Sequence, residues 1–178
     1  PSGEVRSDPE LAVKLAEKVD LLELDAAAHA PEHSIEVQLP ILARLAPSAR
    51  VLGIAMHGGD MAAIQKSADQ LAAVLSEMPR PPLLVVSTDM NHYADEETTR
   101  RVDRVALDAL ESLDPARLFD TVHKNRISMC GVLPAVLVME TLKRLGHLNR
   151  IESVGYATSA EASGDTSRVV GYAGALLD

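Results

Sequence analysis

The run Thr88-Asp89-Met90-Asn91-His92-Tyr93 sets a carboxylate and an imidazole three residues apart, directly after the apolar run Leu83 to Ser87. An imidazole takes and returns a proton near neutral pH, and a nearby carboxylate orients it or raises its basicity. Asp89 and His92 are therefore a candidate catalytic pair. The same spacing also suits a turn in which Asp89 merely caps and His92 is solvated. Cys130, the single cysteine, stands between Met129 and Gly131 just ahead of an apolar run. A helix N-terminus favours anionic sulfur, and a thiolate is both a nucleophile and a soft metal ligand. A cysteine that is only buried is the competing reading. The stretch Glu32-His33-Ser34-Ile35-Glu36-Val37-Gln38-Leu39-Pro40 is a third concentration of reactive side chains. On a helix Glu32 and Glu36 would share a face, with His33 one turn from Glu36, which makes Glu32 and His33 pocket candidates. Acidic groups at that point would equally complement a helix dipole. His29 and His33 have the spacing of a zinc helix, but Pro31 lies between them and argues against it. His57, in the turn His57-Gly58-Gly59, is a weaker candidate.

Positioning these groups falls to an alternation of apolar runs and amphipathic segments, the pattern of helices packed on a mainly parallel sheet. Asp8-Pro9 predicts a capped helix to about Lys18, and Leu21 to Leu24 a short strand. Ile35, Leu39, Leu42 and Leu45 recur at helical spacing, with Pro40 either kinking that helix or lying near its start. Arg50 to Met56 and Leu83 to Ser87 read as buried strands, the second of them central. Asp60 caps the helix that follows the first. Further helices are predicted from about Glu96 to Leu113, from Pro115 to about His123, and from Cys130-Gly131 to near Gly146. Ile151 to Thr158 and Arg168 to Leu176 flank the small-residue loop Ser159 to Ser167 and should form an antiparallel pair. The fold expected is one α/β domain over residues 1–178, with helices on both faces of a central, mainly parallel or mixed sheet. Asp89, His92, Cys130 and either Glu32 or His33 should then converge on one cavity.

A net charge of -9 with scattered basic residues argues against a nucleic-acid partner. One cysteine permits no internal disulfide, and no signal-peptide pattern opens the sequence, so a cytoplasmic setting is expected. Apolar stretches such as Val132 to Met139 fall well short of the roughly 20 residues that span a bilayer. Serine-hydrolase, P-loop and thioredoxin-like chemistry lack their motifs here, since no GxSxG elbow, glycine-rich phosphate loop or CxxC pair occurs.

The blocks EHSIEVQLP (Glu32 to Pro40), STDMNHY (Ser87 to Tyr93), MCG with a proline three residues on (Met129 to Pro134) and GYATSAEASGDTSRVVGYAGALL (Gly155 to Leu177) occur in that order. Together with the opening PSGEVRSD (Pro1 to Asp8), they resemble the MEMO family, the B component of the AmmeMemoRadiSam group. The resemblance implies the fold of the class III extradiol dioxygenases and a redox metal, iron or copper, held by two histidines and a cysteine. Cys130 falls at the place of the cysteine ligand. Asp89 and His92 fall where the family has pocket residues, and His92 is placed like the acid–base histidine of the related dioxygenases. The family's two histidine ligands lie in HAGY-like and PSHH-like motifs near its N-terminus, and neither motif occurs in this sequence. The chain is accordingly expected to lack the family's N-terminal segment, to hold little metal by itself, and to expose core surface that favours self-association.

Three functions follow as expectations. One is a metal-dependent oxidoreductase acting on a small molecule, with His92 moving a proton. Another is a module that binds phosphorylated peptide. The third is an accessory partner of a radical-SAM enzyme and an AMMECR-type protein.

Overall fold

The computed structural model describes residues 4–178, so the first three residues of the Pro1 to Asp8 block lie outside the described region. Local chemistry fixes the helix starts. Asp8 accepts from the Leu11 amide at 3.1 Å and opens α1 (Pro9–Lys18), while Asp25 opens the single turn α2 (Ala26–His29). Residues Glu36–Gln38 form a 3-10 turn that leads into α3 (Leu39–Leu45), so Pro40 sits in the first turn, where its missing N–H has no helical partner to lose. Asp60 caps α4 (Met61–Ser76), Asp95 caps α5 (Glu96–Glu111) and Asp114 caps α6 (Pro115–Lys124). A final long helix, α7 (Val132–Leu145), ends at Gly146 in the left-handed region (φ 74°), a conformation that costs glycine no Cβ clash.

The core lies where α4 packs on α7, and α6 and α1 close its sides. Ile64 and Ala68 of α4, Leu118 of α6, and Val136 and Met139 of α7 are almost wholly excluded from solvent. One buried carboxylate crosses this contact. Glu140 of α7 accepts from Gln65 Nε2 at 3.2 Å and pairs with Arg144, which also reaches Asp69 of α4. With each formal charge partnered, the buried acid is tolerated.

Sheet structure is smaller than the sequence suggests. β1 (Arg6–Ser7) and β2 (Arg50–Val51) make a two-residue parallel pair. The expected antiparallel closing pair is present: β4 (Ile151–Thr158) runs against β5 (Val169–Leu177), and the loop between them carries the short helix α8 (Ala160–Ser163). β3 (His92–Ala94) adds to the other edge of β5, giving the order β3-β5-β4.

Three predicted strands differ. Leu21 to Leu24 is a turn and coil, Arg50 to Met56 is a strand only over its first two residues, and Leu83 to Ser87 has no strand partner. In the last run Leu84 and Val86 pack on the core, whereas Leu83 and Val85 are 85% and 57% exposed. That alternation is strand-like, with one face covered. What is missing is a hydrogen-bonded partner strand. A strand exists only when a second segment accepts and donates its backbone hydrogen bonds, and among the described residues none does so for residues 83–87 or, beyond the β1 pairing at Arg50–Val51, for residues 52–56. Among the described residues β1 and β2 make the one parallel ladder, so the α/β class is present and the ladder of a larger central parallel sheet is not. No helix described is long and apolar enough to cross a membrane.

Candidate functional site

The N-terminus of α7 is drawn against the loop that follows Ser87, and Gly131 is the reason. A Cβ at this position would lie 2.3 Å from Thr88 Cβ and 3.0 Å from the Ser87 carbonyl. With none present, the Gly131 amide donates to Thr88 Oγ1 at 2.7 Å. Cys130, one residue earlier, thereby reaches the loop: the Asp89 amide donates to its Sγ at 3.2 Å, and Thr88 Oγ1 lies 3.6 Å away.

His92 enters from the other side. Its own amide donates to Ser128 Oγ at 2.8 Å, and its Nδ1 lies 2.7 Å from the Ser128 carbonyl. A carbonyl only accepts, so Nδ1 carries the proton and Nε2 is the nitrogen left to act. That Nε2 faces Asp89 Oδ2 at 3.4 Å. Ligand atoms of Asp89, His92 and Cys130 all lie within 4.8 Å of one another. Asp89 and His92 are partly exposed and Cys130 is exposed, so the cluster opens to solvent.

The next residue turns the other way. Tyr93 sits at a register shift between β3 and β5 with φ 66°, a conformation rare for a residue with a Cβ. The irregularity sends its ring outward, where Arg168 stacks over it at 4.5 Å, while His92 stays turned toward Cys130.

Beneath the loop lies a polar frame that the sequence reading passed over. Asp103 of α5 is fully buried and accepts from the Asn91 amide and from Tyr156 OH, each at 2.7 Å. Asn91 in turn receives Ser128 Oγ on its side-chain oxygen at 3.0 Å and donates to Thr99 Oγ1 at 3.3 Å. The Met90 amide donates to the Gly171 carbonyl and the Gly171 amide to the Asn91 carbonyl, which pins the loop to β5. Gly171 must lack a side chain, since a Cβ there would fall 1.8 Å from Asp103 Oδ2. One signal was available: Asp103 is a charged residue on the face of α5 that also buries Thr99, Ala106 and Ala109.

Burial raises the Asp103 carboxyl above its ordinary range, against the hydrogen bonds from Tyr156 and Asn91, and burial together with Asp103 raises the Tyr156 phenol. A carboxyl whose pKa is higher in the fold than in the unfolded chain contributes stability below the unfolded value and loses it as pH rises through the folded one. Asp103→Asn removes that dependence while still offering an oxygen to the Asn91 amide. The unfolding free energy of wild type should thus fall relative to Asp103→Asn as pH rises from about 4 toward neutrality. Urea titrations across that range test this, and parallel pH profiles would contradict it.

The other candidates lie elsewhere. Glu32 caps its own turn, accepting from the Ser34 hydroxyl, from the Ser34 amide at 2.5 Å and from the Ile35 amide at 3.2 Å. Burial works against its charge, but these hydrogen bonds hold its carboxyl below the ordinary range. It lines a cleft shared by none of Asp89, His92 and Cys130, and His33 belongs to neither the cleft nor the cluster. From that segment Gln38 is the residue that approaches the site, donating to Ser87 Oγ at 3.2 Å. α2 ends at His29, before Pro31, so His29 and His33 share no helix, and His57 is an exposed coil residue beside the same cleft.

Helices, small sheets and a convergent carboxylate–imidazole–thiol cluster define an α/β protein with a candidate metal or proton-transfer site. The sequence matches the family described as "Memo-like protein" over residues 1–176, and the chain belongs to that family. A MEMO1 family protein of Methanopyrus kandleri is 36% identical over 174 residues, covering 97% of this chain and 61% of that protein. Its counterpart in Methanocaldococcus jannaschii is 32% identical over 182 residues, covering 100% and 63%. One from Methanococcus maripaludis is 34% identical over 181 residues, covering 99% and 63%. The chain thus spans about three-fifths of the length of these relatives.

Proposed function

We propose that Asp89, His92 and Cys130 form the part of a redox-metal site that this chain supplies, and that the complete protein is an iron- or copper-dependent oxidoreductase. The observation that carries the reading is the gathering of three donor residues. Ligand atoms of His92, Asp89 and Cys130 lie within 4.8 Å of one another, and His92 Nε2, free of the Ser128 carbonyl, faces Asp89 Oδ2 at 3.4 Å. Three donor atoms of these types within reach of one another are able to hold a metal ion.

The donor set fits a redox metal. Thiolate and imidazole suit copper, and imidazole with carboxylate suits Fe(II). An Nδ1–H donated to a backbone carbonyl is the outer support that metal-bound histidines use to fix their orientation. When bound, the ion would polarise a substrate oxygen and exchange electrons with it. The chain's own residues would do the rest: the Asp89 amide donates to the Cys130 sulfur, Asp89 orients His92, and His92 would move a proton at the open face of the cluster only while its Nε2 is not bound to the ion. The class III extradiol dioxygenase-like fold, with a central parallel sheet, belongs to the same proposal. The strand-like exposure pattern of Leu83 to Ser87 supports it.

Titration of the chain with Fe(II) and with Cu(I) tests the site. Three donors should give weak one-to-one binding. Cys130→Ala or His92→Ala should lower affinity by at least the roughly 10–100-fold that outer-shell partners are worth. Binding indifferent to both substitutions would sink the proposal.

A further inference from the structure

Ser128 meets His92 at two points. Its Oγ accepts from the His92 amide at 2.8 Å, and its carbonyl lies 2.7 Å from the ring Nδ1. We propose that the Ser128 hydroxyl and the Asn91 side chain are the positioning groups of this site, holding the His92 imidazole in one orientation and one tautomer. The proposal rests on the role given to His92 above and names the groups on which its geometry depends.

A bond to the ring alone would leave the imidazole free to swing with its own main chain. Two bonds to one residue close a cycle through the His92 backbone and ring, so the side-chain torsions are fixed together. The direction of the hydroxyl is set from the other side. Asn91 Oδ1 takes the Ser128 proton at 3.0 Å, which leaves the Oγ lone pairs to the His92 amide, and Asn91 Nδ2 donates to Thr99 Oγ1 at 3.3 Å.

Asn91 is suited to anchor this arrangement. It is 8% exposed, its amide ends on Asp103, and its carbonyl receives the Gly171 amide, so each of its polar groups has a partner. The Ser128 hydroxyl is not what holds the loop in place. The loop is already pinned to β5 through the Met90 and Gly171 amides, and to the start of α7 through the Gly131 amide. What the hydroxyl adds is the aim of His92, and a ring released from that aim can carry its proton on either nitrogen.

The test reads the tautomer directly, from the ring nitrogen shifts of the 15N-labelled, metal-free chain at about pH 9, where an imidazole is neutral. His92→Gln identifies the signals among the six histidines. Wild type should show the proton on Nδ1 alone. Ser128→Ala, at an exposed position, should give a mixture of both tautomers, and Ser128→Thr, which keeps the hydroxyl, should restore the single form. Asn91→Ala should also give the mixture; because Asn91 is buried and its loss can unfold the loop, Ser128 carries the decision. In a parallel titration Ser128→Ala should lower Co(II) affinity about ten-fold, the low end of what outer-shell partners are worth. A wild-type tautomer in Ser128→Ala, or a Ser128→Thr variant no better than Ser128→Ala, would overturn the proposal. If wild type takes up no Co(II), the metal reading fails by itself, and the tautomer comparison still decides the role of Ser128.

Discussion

Asp103→Ala should cost about 3 kcal/mol of unfolding free energy, because it strips the acceptor from one buried and one partly buried donor at once. The Asn91 amide and the Tyr156 hydroxyl both end on this carboxylate at 2.7 Å, and Asp103 has no contact with solvent. An unsatisfied buried donor costs about 1–3 kcal/mol, and the space left by the carboxyl adds a cavity contribution. Asp103→Asn should recover most of the loss: its oxygen can take the Asn91 amide and its NH2 can donate to the Tyr156 oxygen. Chemical denaturation of the three proteins checks this, and an alanine variant within about 1 kcal/mol of wild type would show that the frame bears little. The frame also matters to the site, since Asn91 lies between the two residues that face Cys130. Tyr156→Phe, which leaves one carboxylate oxygen unpaired but keeps the Asn91 contact, should be milder than Asp103→Ala.

Gly131→Ala is the second large effect. A Cβ 2.3 Å from Thr88 Cβ and 2.6 Å from Thr88 Oγ1 cannot be absorbed by a rotamer change, because the crowded atoms sit at the root of a short side chain. Either α7 withdraws from the loop or the Ser87–Asp89 backbone shifts. Each breaks the bond from the Gly131 amide to Thr88 and carries Cys130 away from Asp89. A loss of about 3 kcal/mol is expected, at the upper end of the overpacking range. Unlike the Asp103 variants, this one should change the reactivity of Cys130 toward a thiol reagent in the folded state, since the sulfur loses the Asp89 amide. Unchanged thiol kinetics together with wild-type stability would refute the geometric role given to Gly131.

How far the sequence foretold this arrangement depended on how local each feature is. Asp8-Pro9, Asp60 and Asp114-Pro115 opened helices as read, since a cap is decided by residues three apart. The β4 and β5 pairing was legible because a connecting loop joins the two partners. Leu83 to Ser87 and Arg50 to Met56 have strand composition, but composition does not supply a neighbour, and the described chain offers none beyond β1. At the site, Asp89 and His92 were visible as a pair within one turn. Cys130 was placed by its position before a helix, and Gly131 explains why that position reaches the pair. Glu32 looked reactive because its type is; the fold uses it as a turn cap instead. Ser128, Asp103 and Tyr156 stayed hidden because their roles depend on contacts made 12 to 53 residues away along the chain.

The most direct test of the proposed site is spectroscopic. Co(II) stands in for the redox metal and reports its ligands, because a thiolate bound to it gives intense charge-transfer absorption that nitrogen and oxygen ligands do not. Titrated into wild type, Co(II) should produce this absorption with one-to-one saturation; Cys130→Ser should abolish it, and His92→Ala should weaken the binding that develops it. Absorption that persists in Cys130→Ser, or one-to-one Co(II) binding in wild type with no sulfur signature, would contradict a site built from Asp89, His92 and Cys130.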